Sequence, residues 1–175
     1  MRNNTIPPIE NQTILFCVLN WGLGHATRSV SLIEELSKNN NVLIASDGNA
    51  LSLLKQEFPS LPTIEMPSFK VQYASKFMFI NLIRIFFQIL QSAKQNRYFI
   101  EVIEKRLPVD LIISDNRFGC WSKKAKSIYI THQILIKLPT FIKFLEPLGC
   151  WYHRKMIKKY DECWIPDYPD SPGLA

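Results

Sequence analysis

Residues 14 to 28 constrain the fold more than any other part of the chain. Ile14, Leu15, Phe16, Cys17, Val18 and Leu19 form an unbroken apolar run. It ends at Asn20-Trp21 and a Gly22-Leu23-Gly24 turn, and His25-Ala26-Thr27-Arg28 then opens an amphipathic segment. Six apolar residues with no polar alternation describe a strand covered on both faces, as in parallel sheets. A strand that feeds a helix through a tight turn aims backbone N–H groups, and the positive end of the helix dipole, at the space above the turn. A phosphorylated or hydroxyl-bearing ligand would be held in that space.

The same pattern recurs along the chain. Short apolar runs at Thr13–Leu19, Asn41–Ala45, Thr63–Met66, Asp110–Ser114, Ser127–Thr131 and Glu162–Ile165 read as strands. Helical periodicity is predicted over Gly24–Lys38, Ala50–Phe58, Lys76–Arg106 and Thr140–Tyr160, the last broken near Pro147-Leu148-Gly149. Strand and helix alternating in this way predict an α/β fold, a doubly wound Rossmann-like parallel sheet with helices on both faces. Ligands bind such sheets beyond the carboxyl ends of the strands, where the strand order reverses. The first strand and Asp110–Ser114 are the natural pair to flank that crevice. Residues 1–12 read as a flexible start, 13–166 as one domain, and the proline-rich 167–175 as a linker toward a further domain.

The chain's 175 residues suffice for one buried core. Apolar residues make up 47% and charged residues 21%, as in globular α/β proteins. The net charge of +6 favours phosphate or an acidic surface. Nucleic acid is not expected as a partner, because the chain carries neither a nucleic-acid motif nor a dense Lys/Arg run. Cys17, Cys120, Cys150 and Cys163 have no C-x-x-C spacing and read as reduced, packed thiols. The polar start, with Pro7-Pro8, does not look like a signal peptide, and Phe77–Leu90 is too interrupted to span a bilayer. A cytoplasmic location is expected, with a peripheral place on the inner membrane face as an option.

Three polar groups end three of the strands. His25 starts the first helix, and imidazole titrates near neutrality, at about 6.5, which suits a general base. Asp115 follows Asp110-Leu111-Ile112-Ile113-Ser114 and either orients His25 or caps a helix. His132-Gln133 follows Ser127–Thr131. Arg28, one turn beyond His25, reads as either a phosphate ligand or solvated surface. No metal site is expected, since the three histidines are far apart. Gly22-x-Gly24-x-x-Thr27 with Asp47 also approaches the dinucleotide fingerprint, though the third glycine is missing. Lys76–Phe87 and Ile134–Phe144, followed by Trp151 and Lys155–Lys159, interleave aromatic and basic residues. Such stretches form core helices or a surface for anionic membranes.

At these residues the chain resembles the amino-terminal domain of GT-B glycosyltransferases, nearest to the group that includes the bacterial enzyme adding N-acetylglucosamine to the lipid-linked peptidoglycan precursor. Gly22-Leu23-Gly24-His25 is similar to that group's Gly-Gly-His loop. Asp110–Asp115 resembles the strand whose terminal aspartate partners the loop histidine in plant-type members. Tyr129-Ile130-Thr131-His132-Gln133 resembles a His-Glu-Gln patch that here lacks the glutamate. The resemblance implies sugar transfer from a nucleotide-sugar donor, such as a UDP-sugar, to a hydroxyl acceptor that is lipid-linked or membrane-borne. The mechanism would be inverting and metal-independent, with no cofactor beyond the donor. His25 and Asp115 would be catalytic, and Gly22, Leu23, Gly24, Ala26, Arg28, His132 and Gln133 would bind acceptor or phosphate. The donor would bind a carboxyl-terminal domain missing here, leaving this chain the inactive acceptor half. The alternatives are a UDP-sugar hydrolase or epimerase of the same fold, an NAD-type dinucleotide-binding domain on Gly22, Gly24 and Asp47, and a scaffold without chemistry.

Overall fold

A computed structural model of the chain describes residues 8–68, 78–132, 143–144 and 146–166. Ten elements follow in order: β1 (Thr13–Val18), α1 (Gly24–Ser37), β2 (Asn41–Ser46), α2 (Gly48–Glu57), β3 (Thr63–Glu65), α3 (Met78–Ile103), β4 (Leu111–Asp115), β5 (Lys126–Ile130), α4 (Glu146–Ile157) and β6 (Glu162–Trp164). The strands form one sheet in the order β3-β2-β1-β4-β5-β6, every neighbouring pair parallel. This is the doubly wound, Rossmann-like α/β fold that the alternation of elements predicts. β1 is central, flanked by β2 on one side and β4 on the other, so the order reverses between β1 and β4. Their register ends with Val18 opposite Asp115, and the Leu19 N–H donates to the Asp115 carbonyl at 3.1 Å.

The alternation of side chains along β1 divides the core in two. Ile14, Phe16 and Val18 pack with Ile33, Leu36 and Leu54 of α1 and α2. Leu15 and Cys17 pack on the other face with Ile100 and Ile103 of α3. Burying each such large side chain contributes about 1.5–3 kcal/mol, and β1 has apolar neighbours on both faces. That is why its sequence shows no polar alternation.

Element boundaries depart from expectation where the cap or turn comes from far away. α2 begins at Gly48 rather than Ala50, because the Asn20 Oδ1 accepts from the Ala50 N–H at 3.2 Å across the sheet edge. The expected helix break at Pro147-Leu148-Gly149 is instead the first turn of α4, where a proline needs no N–H partner. Residues 9–12, expected to be flexible, are held to the turn before β2. Asn11 N–H donates to the Asn39 carbonyl at 2.8 Å, Gln12 N–H to Asn40 Oδ1 at 3.0 Å, and Asn40 Nδ2 to the Ile9 carbonyl at 2.8 Å. The expected linker at 167–175, and the stretch 134–142, lie outside the described residues.

A buried ion pair pins the loops at the carboxyl edge. Arg117, 1% exposed, donates from Nη1 to Asp47 Oδ1 at 2.6 Å and to the Val18 carbonyl at 3.2 Å. Its Nη2 donates to the Pro67 carbonyl at 2.6 Å and its Nε to Asn96 Oδ1 at 3.4 Å. One side chain thus ties the ends of β1, β2, β3 and β4 to α3. The turn that carries it is held close to α3 by Gly119, whose φ is +89°. A Cβ at that position would lie 2.1 Å from the Ala93 carbonyl oxygen. Gly119→Ala should therefore lower the unfolding free energy by about 2 kcal/mol or more in urea titrations, since backbone must move to admit the methyl. An unchanged midpoint would refute this close approach.

Candidate functional site

Three residues of α1 face β4 at the helical spacing i, i+3, i+4: His25, Arg28 and Ser29. The turn before them needs Gly22, whose φ is +76°, and α1 starts without a side-chain cap. The Leu23 carbonyl takes the Thr27 N–H at 2.9 Å and Thr27 Oγ1 at 3.1 Å, which fixes the first turn. With that turn fixed, the three side chains converge on Asp115.

Asp115 closes β4 at 1% exposure and is surrounded by donors. Its Oδ1 lies 3.1 Å from His25 Nδ1 and accepts from Arg28 Nη2. Its Oδ2 accepts from Arg28 Nε at 3.0 Å and from Ser29 Oγ at 2.9 Å. Burial pushes the Asp115 pKa up, but the hydrogen bonds and charges of His25 and Arg28 outweigh it and hold the carboxyl below its ordinary value. The carboxylate therefore stays ionised at neutral pH.

His25 Nδ1 faces two groups at once, Asp115 Oδ1 at 3.1 Å and Arg28 Nη2 at 2.6 Å. Nε2 makes no hydrogen bond among the described residues. Arg28 also reaches the segment after β5, its Nη1 standing 2.5 Å from His132 Nδ1. The two imidazole centroids are 6.0 Å apart. Desolvation, then the Arg28 guanidinium, lower the His132 pKa, so this imidazole is neutral at pH 7 and its Nδ1 accepts from Arg28.

His25, Arg28, Asp115 and His132, separate in the sequence, thus share one site over the β1/β4 switch point. Gly22 and Gly24 line its loop with open space where a Cβ would stand. Leu23 is exposed beside them, whereas the Ala26 side chain is buried in the core under α1. Gln133 lies outside the described residues. Arg28 is engaged with Asp115 and His132 rather than standing free for phosphate. Asp47 corrects the dinucleotide reading: it is buried against Arg117, with Asn20 Nδ2 at 3.4 Å, and presents no carboxylate to a ribose.

Sequence reasoning missed Ser29, Asn20 and Arg117. The i+4 spacing of Ser29 from His25 was the available signal for the first. At the same carboxyl edge, Leu19, Trp21, Ile89, Asn96, Asn116, Arg117 and Phe118 line a shallow cleft of about 60 Å³.

The depressed Asp115 pKa fixes the sign of a pH effect. An unfolded aspartate titrates at about 3.9, and the folded one lower. The stabilisation from Asp115 is complete above that unfolded value and disappears as pH falls through the folded one. Asp115→Asn should cost about 2 kcal/mol at neutral pH in urea unfolding, and the gap from wild type should shrink in acid. A gap independent of pH would contradict the ionised carboxylate.

Comparison with known proteins gives the architecture a family. The chain superposes on the calicheamicin glycosyltransferase CalG4 with a TM-score of 0.59 at 16% identity, over 81% of this chain and 38% of that one. It superposes on the glycosyltransferase SsfS6 of Streptomyces sp. SF2575 with a TM-score of 0.54 at 15% identity, over 93% of this chain and 49% of that one. The kitacinnamycin glycosyltransferase gives 0.53 at 14% identity, over 80% and 35%. The fold is that of GT-B glycosyltransferases, and the chain spans less than half the length of these three. No curated protein matches it in sequence. The sequence profile of glycosyl transferase family 1 matches residues 12–135, well over half of the chain. The chain belongs to glycosyl transferase family 1.

Proposed function

We propose that this chain forms the acceptor-side half of an inverting glycosyltransferase that uses a nucleotide-sugar donor and no metal. In the working form His25 carries its proton on Nδ1, hydrogen-bonded to Asp115, and Nε2 removes the proton of the acceptor hydroxyl. The oxygen then attacks the anomeric carbon, and the donor's diphosphate departs with the bonding electron pair. Asp115 orients the ring and stabilises the imidazolium that forms. The donor would be held chiefly by a second domain, and the cleft beside Trp21 and Asn116 would receive the acceptor. The observation that carries this reading is the approach of His25 Nδ1 to Asp115 Oδ1 at 3.1 Å, with no hydrogen bond to Nε2 among the described residues.

The acceptor in this reading is membrane-borne. Phe86 of α3 meets Tyr152 of α4 edge to face at 5.2 Å between centroids; Phe87 beside it, Leu148 and Trp151 of α4, and Phe144 are exposed. Lys155 Nζ lies 5.0 Å over the Trp151 ring, and Lys143 and Arg154 are exposed nearby in the sequence. Aromatic rings with basic neighbours suit an anionic bilayer surface, where each cation contributes about 1 kcal/mol. No helix among the described residues is long and apolar enough to cross a membrane.

Two measurements test these assignments. In the full-length protein, His25→Ala should slow donor-dependent transfer roughly 10²- to 10⁴-fold with the fold intact by circular dichroism. A wild-type rate would end the role of His25. The protein should sediment with phosphatidylglycerol vesicles at low salt, and a Phe87→Glu/Trp151→Glu variant should stay in solution. Absence of wild-type binding would remove the membrane from the account.

A further inference from the structure

Arg28 occupies a position that a working general base would need cleared. Its Nη2 is closer to His25 Nδ1, at 2.6 Å, than Asp115 Oδ1 is, at 3.1 Å, and the same guanidinium covers both Asp115 oxygens. A guanidinium has only donors. Its approach to Nδ1 requires a lone pair there, which puts the imidazole proton on Nε2. In that tautomer Nε2 has no lone pair with which to take a proton from an acceptor hydroxyl. The arrangement with Arg28 on Nδ1 is a resting one, in which the base is present and its proton is on the wrong nitrogen.

The geometry points to Arg28 as a positioning residue that holds His25 in the resting tautomer until a phosphate group of a ligand draws the guanidinium away. Two observations bear on how a phosphate could draw Arg28 away. The side chain is 29% exposed, so an anion can reach it. Inward it is held by both Asp115 oxygens, and outward, among the described residues, by His132 Nδ1, a neutral acceptor 2.5 Å from Nη1. A phosphate offers the same guanidinium two charged oxygens in the bidentate geometry it favours. Once Arg28 turns outward, Asp115 is the remaining partner of Nδ1. The proton on Nε2 then passes to water, Nδ1 takes one from water, and the charge of the ring is unchanged. The lone pair is then on Nε2. Among the described residues, the groups facing the imidazole are Arg28 from α1, Asp115 from β4 and His132 after β5. The base is therefore assembled by the arrival of a phosphorylated ligand.

This inference rests on His25 being the base, but its test does not need turnover. Long-range proton–nitrogen correlation spectra of histidine-labelled full-length protein at near-neutral pH read the tautomer directly, the His25 signals being assigned by their loss in His25→Gln. Without ligand His25 should show the Nε2–H pattern. Inorganic pyrophosphate should invert it to Nδ1–H, and Arg28→Met should be Nδ1–H from the start and indifferent to pyrophosphate. UDP and farnesyl diphosphate titrated in parallel identify the source of the anion: the one that inverts the pattern at lower concentration marks donor or lipid-linked acceptor. An Nδ1–H pattern in the unliganded wild type would overturn the inference. So would an Nε2–H pattern in Arg28→Met, or no response to any of the three diphosphates. The wild-type titrations decide the matter if Arg28→Met does not fold. An inverting pattern in a protein whose His25→Ala variant keeps full activity would leave the tautomer control standing and remove only the base.

Discussion

A single ionised carboxylate, buried at the carboxyl end of a central strand, organises the working edge of this molecule. Taking a charge out of water costs several kcal/mol unless it is paired and hydrogen-bonded. Asp115 meets that requirement with donors from Arg28 and Ser29, and with His25 Nδ1 3.1 Å from Oδ1. All three lie on the opening turns of α1, so satisfying the carboxylate fixes how α1 docks against β4. A helix that begins without a side-chain cap is thereby held in place by its first turns rather than by its terminus. The imidazole is oriented as a consequence of that docking.

The second ion pair does for the backbone what the first does for the side chains. Arg117 and Asp47 are each about 1% exposed, and Arg117 also donates to carbonyls at the ends of β1 and β3. Removing either partner would leave a buried charge uncompensated, at a cost of about 3–5 kcal/mol. The loops that carry His25, Asp47 and Asn116 are therefore fixed relative to one another. That rigidity holds hydrogen-bonded partners together that lie far apart in the chain. It also fixes Asn96 and Arg117 in the lining of the cleft shared with Trp21, Ile89 and Asn116.

Much of this was legible in the residues alone. The apolar run of β1, its glycine turn and the alternation of strands and helices specify a doubly wound sheet, because strands buried on both faces lack a polar period. The pairing of β1 with β4 and the convergence of His25, Asp115 and His132 follow from that topology. What the sequence hid was the destination of individual polar side chains. Arg28 reads as a free cation, yet the carboxylate needs its charge and it lies against Asp115. Asp47 stands where a ribose-binding acid would, yet it neutralises an arginine. Arginine is so rarely buried that Arg117 gave no warning. Ser29 looked like any helical serine, and the cap on α2 comes from Asn20, 30 residues earlier than the N–H it accepts from. Each miss is a long-range polar contact, for which local periodicity carries no signal.

The central claim is that the imidazole and the carboxylate form one coupled unit over the mouth of the sheet. A double-mutant cycle on unfolding free energy, with His25→Ala, Asp115→Asn and the pair, measures that coupling without reference to substrate. The account predicts an interaction energy within about 0.5–3 kcal/mol, as for side chains in one hydrogen-bonded network. Additivity to within about 0.3 kcal/mol would mean that the two groups do not act on each other, and would contradict it.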